Sequence, residues 1–81
     1  MRLPRDLSGA DLAKALTKFG YELNHQTGSH MRLETDRNGT HTVTIPTHSP
    51  LKIGTLSSIL NEVANHLKIS KFELAERLFR K

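Results

Sequence analysis

The sequence predicts an α+β domain with helices covering one face of a three-stranded antiparallel sheet, and three observations predict it. Residues alternate on both sides of the turn at Gln26-Thr27-Gly28-Ser29: Tyr21, Leu23 and His25 against Glu22, Asn24 and Gln26, then Met31 and Leu33 against His30, Arg32 and Glu34. A period of two across a turn is the pattern of a β-hairpin. A second turn, Asp36-Arg37-Asn38-Gly39, carries the Asn-Gly pair favoured in hairpins, and a third alternating segment follows it. Ser8 and Ser70 each open a 3.6-residue apolar pattern, the mark of capped amphipathic helices.

Each element can be justified in order. Pro4 biases Leu3 away from helix, so the lead-in is extended. Ser8 caps the first helix, with Asp11 in the capping-box position and Leu7 and Leu12 placed as a staple. Leu12, Ala15, Leu16 and Phe19 form its apolar face, and Gly20 ends it. Lys14 and Lys18 lie a turn apart on the other face, where like charges repel mildly and an anionic partner would relieve them. The strands are expected at 21–26, 29–35 and 40–45. Gly28 is expected to reverse the chain by taking a positive φ. In the third strand Val43 and Ile45 face inward, Thr42 and Thr44 outward, and Pro46 stops it. A helix follows over 54–67, with Leu56, Leu60, Val63 and Leu67 on its core face and Ile59 and Ala64 widening it. Ser70 caps a last helix whose inner face is Leu74, Ala75 and Leu78, and Arg77, Arg80 and Lys81 suit its C-terminal dipole. An αβββα order followed by one more helix is the double-stranded-RNA-binding-domain-like type of sandwich.

Composition sets the bounds. The 81 residues suit one small domain, expected over 1–81, with no repeat or linker. Twelve Lys and Arg against eight acids leave a net charge of +4, an excess that favours a polyanion or an acidic partner. The absence of Cys removes disulfide scaffolds, thiolate zinc sites and Cys nucleophiles. No apolar run reaches the roughly 18 residues of a membrane span, and 1–5 lacks a signal-peptide core. The expectation is a soluble cytoplasmic protein with no membrane contact. Of the five histidines, none pairs at i,i+4 on a helix or beside a carboxylate in a ligand-like spacing, so neither a metal nor another cofactor is expected.

Three segments carry a resemblance: Gly28-Ser29-His30 on the hairpin, Val43-Thr44-Ile45-Pro46-Thr47-His48 after the second turn, and Lys52-Ile53-Gly54-Thr55-Leu56-Ser57-Ser58-Ile59-Leu60 at a helix start. With the Leu3-Pro4-Arg5 lead-in and the Ser8-Gly9 helix start, the chain resembles the HicA-type (YcfA-like) toxins over nearly its whole length. The resemblance implies a small mRNA interferase of a prokaryotic toxin–antitoxin pair, cleaving mRNA without a metal and blocked by a HicB-type antitoxin. It carries the family's active histidine onto His30 and the histidine after the strand-three proline onto His48. The sequence departs from many relatives at Met31, where a second histidine is common, and at Ile53, where proline is common.

RNA supplies its own nucleophile, the 2′-hydroxyl, so such an enzyme needs a base, an acid and cations for the phosphate. Histidine titrates near neutrality and serves as either acid or base. His30 takes one role, and the loop bearing His48 supplies the other if it folds back to the hairpin; otherwise water does. Ser29 adjoins His30, and Arg32 shares its face and suits a phosphate clamp. Gly28, Lys14, Lys18, Lys52 and the free amides near Gly54 and Thr55 complete the expected RNA contacts. On spacing alone a strand histidine is a surface residue, and only the resemblance gives His30 chemistry. By the same alternation His25 and His41 belong at the core edge, and His66 on a solvated helix face. The alternative function is a double-stranded-RNA-binding-like module that holds RNA without cutting it.

Overall fold

The computed structural model describes residues 3–79. Its order is α1 (Gly9–Leu16), a 3-10 turn (Thr17–Phe19), β1 (Glu22–Thr27), β2 (His30–Thr35), β3 (His41–Pro46), α2 (Ile53–Leu67) and α3 (Lys71–Phe79). The strands form one antiparallel sheet in the order β1-β2-β3. This is the double-stranded-RNA-binding-domain-like αβββα fold with a C-terminal helix. The expected contributions of Arg80 and Lys81 to the end of α3 fall outside the described residues.

Local signals account for most boundaries. Ser8 accepts the Asp11 amide at 3.0 Å while Asp11 accepts the Ser8 amide at 3.3 Å, a complete capping box. Gly20 ends the 3-10 turn with φ 82°, a conformation glycine adopts without strain. The Ser70 hydroxyl accepts the Glu73 amide at the start of α3. Asn38 and Gly39 both take positive φ in the second turn. Gly28 does not: the first hairpin turns tightly between Thr27 and His30 without a left-handed glycine, and space at its α-carbon is open.

The core lies between the sheet's inner face and the helices. Met31, Leu33, Val43 and Ile45 from the sheet meet Leu12 and Leu16 of α1, Leu56, Leu60 and Val63 of α2, and Leu74 and Leu78 of α3. Every one of these lies on the face that its periodicity predicts to be inward. Among the described residues no element covers the sheet's outer face. β1 is an edge strand exposed along its whole length, and Leu23, directed to the inner face opposite Leu33, is still 56% exposed. Phe72 and Ile53 are the other large apolar side chains left open among the described residues.

β1 departs from the sequence expectation in one respect that matters for the site. Leu23 pairs with Leu33, but the next pairing is His25 with Arg32, so Asn24 is an extra residue in a β-bulge. Past a bulge the alternation inverts. Gln26 takes the inner-face position opposite Met31, and His25 moves to the outer face opposite Arg32. The expectation that His25 sits at the core edge is therefore wrong.

The other two histidines build a polar brace. The Tyr21 hydroxyl lies 2.7 Å from His41 Nδ1, and His41 Nε2 lies 3.3 Å from the Glu62 carboxylate. A carboxylate only accepts, so Nε2 carries the proton and Nδ1 accepts from the tyrosine. His41 is at the core edge as expected. His66 is not a solvated helix residue: its ring stacks on His41 at 4.4 Å between centroids, and its Nε2 donates to the carbonyls of Arg37 and Gly39, each at 2.9 Å. Asn38 Nδ2 returns a bond to the His66 carbonyl, so the second turn is tied to the end of α2.

Burial, and secondly the charge of Glu62, push the Tyr21 phenol from its ordinary 10.0 up to about 12. The unfolded chain then releases this proton at a lower pH than the folded one. Stability from Tyr21 is complete below pH 10 and declines as pH rises toward 12, by about 2–3 kcal/mol in all. Tyr21→Phe is expected to flatten that alkaline decline and to lose about 1 kcal/mol at neutral pH with the hydrogen bond. Urea unfolding of both proteins at about pH 8 and about pH 11.5 separates the two effects.

Candidate nucleic-acid interface

The hairpin end of the outer face is built from three strands. Thr27, His30 and Pro46 form one cross-strand row, and His25, Arg32 and Thr44 form the next. All but Pro46, which is half-buried, are exposed. They point outward because Met31, Leu33 and Ile45 are drawn inward to the core, which fixes the register of the whole face. The opposite end of the face is acidic: Glu22 pairs with Glu34, and Asn24 Nδ2 donates to the Glu34 carboxylate. The polarity runs from two carboxylates at one end to a guanidinium and two imidazoles at the other.

His30 begins β2, and its Nδ1 lies 3.1 Å from the Ser29 hydroxyl. In the tautomer in which Nδ1 donates to that oxygen, Nε2 keeps a free lone pair. Among the described residues Arg32 makes no ion pair with a carboxylate, so its guanidinium is uncommitted.

The loop after β3 does fold back to the first hairpin. The Thr47 amide donates to the Ser29 carbonyl at 3.0 Å, and the Thr47 hydroxyl to the Gly28 carbonyl at 3.4 Å. One residue later the exposed His48 gives its carbonyl to the Gly9 amide at 2.9 Å, at the start of α1.

The remaining expected contacts do not gather at His30. Lys18 Nζ lies 3.4 Å from the carbonyls of Arg77 and Leu78, neutralising the C-terminal end of α3. Lys14 is exposed on α1, in the layer behind the sheet. Lys52 precedes α2 without a side-chain cap and shares a groove with Arg5, Ile53 and Phe79. Gly54 and Thr55 follow it in the first turn, with open space at Gly54. Gly28, Ser29, His30 and Arg32 lie together at the hairpin; Lys14, Lys18 and Lys52 lie on the helix side, each in its own setting. His25 joins this face although the alternation of β1 assigns it inward, and a bulge leaves no compositional mark by which to find it.

Searches of curated proteins and of solved structures returned no match. A family model described as the HicA toxin of bacterial toxin–antitoxin systems matches residues 9–64, more than half of the chain and from the first residue of α1 to within α2. The matched span includes the hairpin with Ser29 and His30, the tethering loop and the start of α2. The chain belongs to the HicA toxin family, and is the toxin component of a toxin–antitoxin system.

Proposed function

We propose that this toxin is a metal-independent endoribonuclease that cleaves mRNA with His30 and is held inactive by a HicB-type antitoxin. The observation that carries the reading is the solvent-facing imidazole of His30, bonded to Ser29 and beside the uncommitted Arg32 at the positive end of an open sheet face. His30 accepts the proton of the 2′-hydroxyl, and the oxygen attacks the adjacent phosphorus. The bond to the 5′-oxygen breaks, leaving a 2′,3′-cyclic phosphate and a 5′-hydroxyl. Arg32 neutralises charge on the non-bridging oxygens. Lys14, Lys52, Arg5 and the first-turn amides at Gly54 and Thr55 attract the polyanion without touching the reacting bond. Lys18 has its own structural task.

The toxin family supports an antitoxin partner, and the net charge of +4 supports both an acidic protein and RNA as ligands. Incubation with a long RNA in EDTA tests the reaction. Fragments ending in cyclic phosphate are expected. RNA that is bound but intact would favour the non-catalytic RNA-binding module, and cleavage abolished by EDTA would overturn the metal-free chemistry.

A further inference from the structure

We propose that His25 is the second proton-transfer group of this site, acting with His30 on one RNA phosphodiester, because the bulge at Asn24 sets it on the outer face opposite Arg32. The inference rests on the ribonuclease reading above and names the acid that reading lacks.

The geometry follows from the register. His30 lies opposite Thr27, and His25 is two residues from Thr27 on the same strand and the same face. His25 and His30 are therefore diagonal cross-strand neighbours, separated by about 7–8 Å, a distance that long side chains bridge. Arg32 is directly opposite His25 and two residues from His30. The three side chains form a triangle with a cation at one corner and an imidazole at each of the others. All three are exposed, and no described element covers the outer face. Without the bulge His25 would occupy the inner face, where Gln26 now stands opposite Met31.

His48 is the competing partner: its loop returns to the hairpin through Thr47, but its carbonyl is bound to the Gly9 amide at the start of α1, whereas His25 stands in the same sheet face as His30, directly opposite Arg32. His41 and His66 are occupied by Tyr21, Glu62 and the second turn. His25 makes no side-chain hydrogen bond or ion pair among the described residues, so its ring nitrogens are free for a substrate.

The step balances. Neutral His30 takes the 2′-proton, and the 2′-oxygen's electron pair forms the bond to phosphorus. The P–O5′ electrons leave on the 5′-oxygen, which receives the proton of His25. The two rings finish with their protonation states exchanged, and solvent restores them. A base that must be neutral and an acid that must be protonated give a bell-shaped pH dependence.

The test uses the full chain, ordinary RNA, and an RNA whose scissile 5′-oxygen is replaced by sulfur. A thiolate leaves without needing a proton, so the second substrate bypasses a missing acid. His25→Ala is expected to bind RNA and to melt like the parent, to cleave ordinary RNA about 10²–10⁴-fold more slowly, and to lose the alkaline fall of the pH profile. On the sulfur-containing RNA its rate is expected to return to near the parent's. Parent-like cleavage of ordinary RNA by His25→Ala would overturn the assignment while leaving the ribonuclease reading intact. A loss that sulfur does not relieve, or a matching loss of RNA affinity, would make His25 a binding residue and overturn it as well. If the parent protein leaves both RNAs whole, the ribonuclease reading falls and His25 with it.

Discussion

His30→Ala is expected to lower RNA cleavage by about 10²–10⁴-fold and to abolish growth arrest on expression, with no loss of fold. The side chain is exposed at the first residue of β2, and its one internal partner is the neighbouring Ser29 hydroxyl. Truncating it opens no cavity and strands no buried polar group. The stability change is therefore expected within about 0.5 kcal/mol, a shift of only a few degrees in melting temperature. Ser29→Ala should act in the same direction but more weakly, since it frees the ring's orientation without removing the ring. Measuring cleavage with melting temperature side by side decides the matter. Unimpaired cleavage by a folded His30→Ala protein would take His30 out of the chemistry. Loss of cleavage with a collapse in melting temperature would make it structural.

The sulfur-substituted RNA distinguishes the two histidines in the same experiment. A missing base leaves the 2′-hydroxyl unactivated whatever the leaving group, so His30→Ala stays slow on both substrates. A missing acid matters only when the leaving oxygen needs a proton. The two variants are thus expected to be alike on ordinary RNA and unlike on the modified one. Equal recovery in both would assign the same role to both rings and contradict the division of labour.

What the sequence disclosed, and what it hid, has a physical pattern. The buried faces were legible because one rule governs them: Leu12 and Leu16, Met31 and Leu33, Val43 and Ile45, Leu56 and Leu60 each recur at the period of their element, and burial follows the period. The Ser8 cap was legible because Ser8 and Asp11 are within four residues of one another. The features that escaped are those set by partners distant in the chain. His66 belongs to the Arg37–Gly39 turn through bonds that span 27 to 29 residues. Lys18 meets carbonyls 59 and 60 residues away. His25 was misplaced for a different reason. The bulge at Asn24 inverts the alternation for the rest of β1, and a strand exposed on both faces offers no run of apolar residues by which to detect the inversion. The outward direction of His30 and Arg32 was legible because the core-facing Met31 and Leu33 alternate with them. The return of the loop at Thr47 was only a condition in the sequence, and the Thr47 bonds to Ser29 and Gly28 fulfil it.

Gly9→Ala is expected to destabilise the fold by about 2–3 kcal/mol, the upper part of the range for overpacking a close contact. Gly9 is buried at the first position of α1, where the helix start presses on the end of β3. A β-carbon there would lie 1.9 Å from the Pro46 carbonyl oxygen, 3.0 Å from its carbon and 3.4 Å from Ile45 Cγ2. The nearest obstacle is backbone, which cannot rotate away, so α1 and β3 must separate. Separation strains the 2.9 Å bond from the Gly9 amide to His48 and disturbs the core beneath Ile45. Alanine's better helix propensity, about 1 kcal/mol, is too small to offset that. For a chain of this size the loss corresponds to a melting temperature lower by about 10–20 °C. Gly54→Ala is the control: it adds the same methyl in the first turn of α2, where a β-carbon meets nothing within 4 Å, and is expected to be neutral or slightly stabilising. Pro46 is also the cross-strand partner of His30, and the adjoining Thr47 holds Ser29. Below its melting temperature, Gly9→Ala should therefore cleave RNA more slowly than Gly54→Ala. Equal melting temperatures for the two variants would mean that the helix start yields freely, and that β3 is not what holds the His30 rim in place.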